Sequence, residues 1–146
     1  MSQPDFTPAL ERAITRAIAG LTSITSPKRL SGGASQETWS FDGIGLNGTT
    51  PLILRRAPYG KTVQRSATAV PLATEAKIIR LAEKAGVPVP PVPYVLQDTD
   101  DLGPGYIMGR VEGETIARKI LRDAEFADAR PKLARQCGHI LAKIHA

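Results

Sequence analysis

Three stretches of this chain carry the residue types of phosphate handling, and they occur in order. The first, Leu30-Ser31-Gly32-Gly33-Ala34-Ser35-Gln36-Glu37-Thr38, is a glycine loop between two strand-like runs. Adjacent glycines leave backbone N–H groups open to an anion, because no side chain blocks the approach. Ser31 and Ser35 add hydroxyl donors, although the same residues also suit a plain hairpin turn. The second stretch, Leu52-Ile53-Leu54-Arg55-Arg56, reads as a strand ending in two cations. Alternation sends one arginine inward with Ile53 and the other outward with Leu52 and Leu54. An inward cation is costly unless paired, whereas at a strand end both heads reach water. The third feature is Glu75. On a helical wheel it falls among Leu72, Ile78, Ile79, Ala82 and Ala85, opposite Lys77, Arg80, Glu83 and Lys84. A carboxylate on that face calls for a cation, and close to Pro71 it also suits the first turn of a helix.

Other chemistries fit poorly. Gly60-Lys61-Thr62 imitates the end of a phosphate-binding P-loop, but Arg55 stands where that motif needs its first glycine. His139 and His145 lie six apart, not at the four-residue spacing of a helical zinc pair. No Gly-x-Ser-x-Gly elbow occurs. Cys137 reads as a buried, inert thiol within a helix.

The elements that must position these residues follow from periodicity. Thr7-Pro8 opens a first helix as N-cap and proline, with Leu10, Ile14, Ala17, Ile18 and Leu21 on one face and Gly20 at its end. Strand-like runs follow at Ile24 to Leu30 and Glu37 to Asp42, the second placing Trp39 and Phe41 on one face. Asn47-Gly48 signals a hairpin, and Pro51 leads into the next strand. Ala57 to Val70 reads as a mobile linker. A helix spans Pro71 to Gly86, then Val87 to Pro93 is extended because proline excludes helix. Tyr94 to Leu96 and Gly105 to Met108 are the last strands, followed by helices near Glu114 to Leu121 and Ala124 to His145. The sum is an α+β fold with an antiparallel meander.

The totals agree with one globular domain. The chain has 146 residues, 42% of them hydrophobic and 23% charged, enough for a real core. Its single cysteine excludes an intramolecular disulfide and a cysteine zinc cluster. No apolar run is long enough for a membrane span and no signal peptide opens the chain, so a cytoplasmic protein is expected. The net charge of +5 admits nucleic acid or smaller phosphorylated ligands. Scattered cations and few aromatics disfavour a single-strand nucleic-acid platform.

The order strand, glycine loop, strand, arginine, glutamate helix, strand and hinge resembles the N-terminal lobe of aminoglycoside phosphotransferase-like kinases. It is most similar to the branch related to the kinase-like domain of some acyl-CoA dehydrogenases. Besides the loop, the matching stretches are Leu52 to Pro58, Glu75-Ala76, Gly86 to Pro90, Gly103 to Met108 and Val111 to Thr115. The resemblance implies a protein-kinase-like lobe, with a five-stranded antiparallel sheet and a glutamate-bearing helix. It would comprise an N-terminal helix (1–22), the nucleotide-binding lobe (23–113) and the start of a helical second lobe (114–146). It implies ATP, with Mg²⁺ in the parent enzyme, and transfer of the γ-phosphate to a small-molecule hydroxyl such as an aminoglycoside or a hydroxyacyl-CoA. Gly32, Gly33, Ala34, Ser35 and Gln36 would cover the phosphates. Arg55, where such kinases usually carry lysine, would hold the α- and β-phosphates and pair with Glu75. Met108 would line the adenine pocket, with the Gly109 carbonyl and Val111 N–H at the adenine edge. The family's His-Gly-Asp loop and its later metal-binding aspartate are not in these residues. The expectation is therefore a truncated chain, inactive alone and prone to self-association; a non-catalytic nucleotide-binding or interaction module is the alternative.

Overall fold

The computed structural model describes residues 5–31, 36–58 and 69–145. Gly32, Gly33, Ala34 and Ser35 lie outside the described residues, as does 59–68 of the expected linker with its Gly60-Lys61-Thr62 triplet.

Helix α1 (Thr7–Ala17) buries Leu10, Ala13 and Ile14 against the sheet. Its start differs from expectation by one residue: Thr7 is inside the helix, and the Asp5 carboxylate accepts the Thr7 N–H at 2.9 Å. The helix ends at Ala17, and Gly20 makes the following turn with φ of +86°.

Six strands follow: β1 (Leu21–Ile24), β2 (Lys28–Arg29), β3 (Glu37–Gly45), β4 (Gly48–Arg56), β5 (Tyr94–Val95) and β6 (Gly105–Gly109). They form one antiparallel sheet in the order β1-β3-β4-β6-β5, with β2 also on β3. The single strand expected over 24–30 is thus two short ones. Ser26-Pro27 interrupts it, because proline offers no N–H to the ladder. The β3–β4 hairpin turns at Leu46-Asn47, with Gly48 at a φ of +105°. At Gly45 the backbone of Gly20 comes so close that a Cβ would sit 2.1 Å from its carbonyl oxygen. Pro51 does not precede β4 but lies within it. Its carbonyl still accepts the Arg110 N–H at 3.0 Å, and its missing donor falls beyond the end of β6, where no strand bond is lost.

Both faces of this sheet are covered. On one, α1 packs with Phe41, Leu52, Leu54 and Ile107. On the other, helix α2 (Leu72–Lys84) sets Leu72 and Ala76 on Tyr106 and Val92. The outward placement expected for Leu52 and Leu54 is therefore corrected: α1 turns their side into the main core. The α2 face is also narrower than the wheel suggests. Ile78 is exposed, Ile79 half-buried, and Arg80 reaches the Val92 carbonyl at 2.8 Å. One edge of the helix meets the sheet, so only the i, i+4 stripe is covered.

Helix α3 (Ala117–Arg122), a single 3₁₀ turn at Ala124–Phe126 and helix α4 (Arg130–His145) complete the described chain. The last helix starts later than expected, with Pro131 in its first turn, where a missing N–H costs nothing. It buries no residue among those described, and Leu141 and Ile144 are exposed. Cys137 is exposed as well, which corrects its reading as a buried thiol. No helix among the described residues is long and apolar enough to cross a membrane.

Candidate functional site

Arg55 and Glu75 meet. Arg55 Nε lies 3.0 Å from Glu75 Oε1, with the two side chains 31% and 33% exposed. Three elements produce this contact. β4 carries Arg55 in phase with Ile53, on the α2 side of the sheet. Leu72 and Ala76 seat α2 on that side, which points the neighbouring Glu75 at the strand. Tyr106, the cross-strand partner of Arg55 on β6, rises between them and donates its hydroxyl to the same Glu75 oxygen at 2.9 Å. One carboxylate oxygen thus orients a guanidinium and a phenol together.

Burial, and then the hydrogen bond to Glu75, push the Tyr106 phenol well above its ordinary value. The folded chain keeps this proton where the unfolded chain gives it up. Stability must therefore fall as the pH rises above about 10. Tyr106→Phe is expected to flatten that loss, which urea midpoints from about pH 8 to about pH 11 would record.

Beside the pair, a cleft of about 700 Å³ opens on the same face of the sheet. Thr38, Ser40, Ile53 and Met108 line it, with Leu30 at one side and Pro88 to Pro90 and Gly109 to Glu112 at the other. Arg55 is not in its lining, but it is two residues along β4 from Ile53, about 7 Å. It also pairs across the sheet with Thr38. Arg55 thus leaves the sheet beside the Thr38 and Ile53 part of the lining.

Gly109 is held by the extended segment: its N–H donates to Pro91 O at 2.9 Å, and a Cβ there would meet the Pro91 ring at 3.1 Å. Because the Arg110 N–H faces β4, alternation turns Gly109 and Val111 away from that strand. The Val111 N–H has no backbone acceptor among the described residues. Arg110 spans the cleft mouth, 2.9 Å from Asp42 and 2.8 Å from Glu112, and donates to Ser40 Oγ at 3.1 Å.

The second arginine goes the other way. Arg56 is 1% exposed, and its Nε donates to the buried Glu37 at 3.1 Å. The Trp39 indole donates to the same oxygen at 3.2 Å, and Arg29 lies 3.7 Å from the other. The Phe6 ring covers the Arg56 guanidinium at 4.0 Å.

The structure therefore brings Met108, Gly109 and Val111 into one cleft, with Arg55 two residues along β4 from its lining and paired with Glu75, and Gln36 next to the residues left undescribed. Reading the sequence missed Tyr106, Glu37 and Arg110 as members of the arrangement. Two of them had a signal in the alternation: Tyr106 is in phase with Met108, and Glu37 with Trp39 and Phe41. A second groove, about 780 Å³ between Pro88 and α4, is lined by Arg135, Gln136, His139, Ile140 and Lys143 and holds none of the nominated residues.

The model of the phosphotransferase enzyme family (APH) matches residues 26–146, most of the chain. No curated protein and no solved structure matches it. A family match over the sheet, the glutamate helix and the cleft agrees with the geometry of an arginine and carboxylate pair set beside a pocket. This chain belongs to the phosphotransferase enzyme family.

Proposed function

We propose that these residues form the ATP-gripping lobe of a small-molecule phosphotransferase. One juxtaposition carries the reading: Arg55, paired with a Glu75 that Tyr106 also bonds, stands on β4 two residues from Ile53 in the lining of a cleft that includes Met108. The cleft volume of about 700 Å³ suits a nucleotide-sized ligand. Adenine would lie against Met108, with the Gly109 carbonyl and the Val111 N–H at its edge. Arg55 would take α- and β-phosphate oxygens, since a guanidinium grips two oxygens at once and never loses its charge. Gly32 to Gln36 would cover the phosphates with backbone donors.

When bound, ATP would supply the phosphoryl group that moves, and Mg²⁺ would neutralise the charge developing on it. Among the described residues no three carboxylate, histidine or cysteine side chains are gathered to hold a metal, and the proposal assigns Mg²⁺ no ligand here. The acceptor is a small-molecule hydroxyl. Transfer also needs a base to orient that hydroxyl, and no His-Gly-Asp occurs in the sequence. These residues by themselves are therefore proposed to bind ATP without transferring its phosphate. The testing experiment is a titration of the ¹⁵N-labelled chain with ATP, using AMP as the phosphate-poor control. ATP is expected to bind more tightly than AMP, because AMP lacks the β-phosphate, one of the two that Arg55 would hold.

A further inference from the structure

Glu37 and Arg56 are two of the three buried polar residues among those described, and neither faces the cleft. Their places in the chain are informative. Arg29 precedes Leu30 at the entry to the glycine loop, Glu37 follows Gln36 at its exit, and Arg56 follows Arg55. The Glu37 carboxylate contacts the side chains of both Arg29 and Arg56. It thereby ties β2, β3 and β4 together where the loop is rooted. The backbone closes the same root, with the Leu30 N–H donating to Thr38 O at 2.9 Å. Phe6, just ahead of α1, stacks on the Arg56 guanidinium and packs edge-on against Trp39 at 4.8 Å. Neighbouring residues of a strand share a peptide plane, so the position of Arg56 on one face constrains that of Arg55 on the other.

We infer that Glu37, Arg56 and Phe6 are positioning residues for the nucleotide site, acting from the opposite face of the sheet. This rests on the ATP reading of the cleft. The N-terminal segment, through Phe6, sets how firmly the loop root and the Arg55 strand are held. Removing the ring loosens the root without stranding a buried charge, so Phe6→Ala is the informative variant, with Glu37→Gln beside it.

Two readouts separate the inference from the reading beneath it. The first is hydrogen exchange without nucleotide. Phe6→Ala is expected to speed exchange at the Leu30 amide by about tenfold, leaving the Leu96 amide, bonded to Gly105 across β5 and β6, unchanged. The second is ATP affinity by calorimetry, expected to weaken by a similar factor while Phe6→Tyr, which keeps the ring, restores both. Unchanged Leu30 exchange with full ATP affinity in Phe6→Ala overturns the inference. Equal acceleration at Leu30 and Leu96 also overturns it, because that is general destabilisation. A native chain that does not bind ATP overturns the cleft reading instead, and the exchange arm still decides whether the network holds the loop root.

Discussion

Replacing Arg56 by alanine is expected to remove about 3–5 kcal/mol of folding stability, a large part of what a domain of this size possesses. The physical reason is asymmetric. Arg56 and Glu37 are 1% and 5% exposed, so each is desolvated at a cost its partner offsets. Removing Arg56 takes from the buried Glu37 its nearest and most buried cation, and the exposed Arg29 at 3.7 Å is a weaker substitute. Phe6 loses its stacked cation at the same time. Glu37→Gln paired with Arg56→Met is expected to recover part of the loss, because no charge is then buried at the pair and the amide oxygen at position 37 can still accept from the Trp39 indole. Urea midpoints of the two single variants and the double variant measure this. A double variant as unstable as Arg56→Ala would locate the energy in packing rather than in the charge pair.

The second large effect falls one residue earlier and on a different quantity. Arg55→Ala is expected to weaken ATP binding by about 10- to 100-fold, the worth of a hydrogen-bonded pair between charged groups. AMP binding should change much less, since the lost group acts on the β-phosphate as well. Stability should scarcely move. Arg55 and Glu75 are each about a third exposed, and pairs so open to water contribute about 0–1 kcal/mol. Glu75→Gln should weaken ATP less than Arg55→Ala does, because the cation remains and only its orientation is loosened. Calorimetry with both nucleotides and a thermal melt of each variant distinguish these outcomes. Under the proposal adjacent arginines on one strand divide the work, Arg56 to the fold and Arg55 to the ligand.

That division was half legible in the sequence. Alternation requires Arg55 and Arg56 to face opposite ways, and the helical wheel places Glu75 on the packed side of α2. What alternation cannot say is which face is wet. Leu52 and Leu54 are buried because α1 packs over them, and Arg56 is covered by Phe6 just ahead of that helix, contacts between residues some forty to fifty positions apart. Alternation puts Tyr106 in phase with Met108, but its tie to Glu75 needed the register, which stands it across from Arg55. Proline was over-read in one place and informative in another. Pro51 did not open a strand, because its missing donor falls past the end of β6. Pro91 in the extended segment does fix Gly109 at the cleft. Cys137 failed for the simplest reason: a helical pattern predicts which face would be buried, and among the described residues nothing covers that of α4.

The account turns on ATP occupying the cleft between Thr38, Ser40 and Ile53 and the Met108 to Val111 segment, and amide shifts in the ¹⁵N-labelled chain test that most directly. On adding ATP, the account predicts saturable shifts at the Val111 amide and at Arg55 Nε, with AMP moving Val111 as far but Arg55 less. Shifts confined to Arg135, His139 and Lys143 in the groove along α4, or no shift at Val111 and Arg55 at saturating ATP, would contradict it.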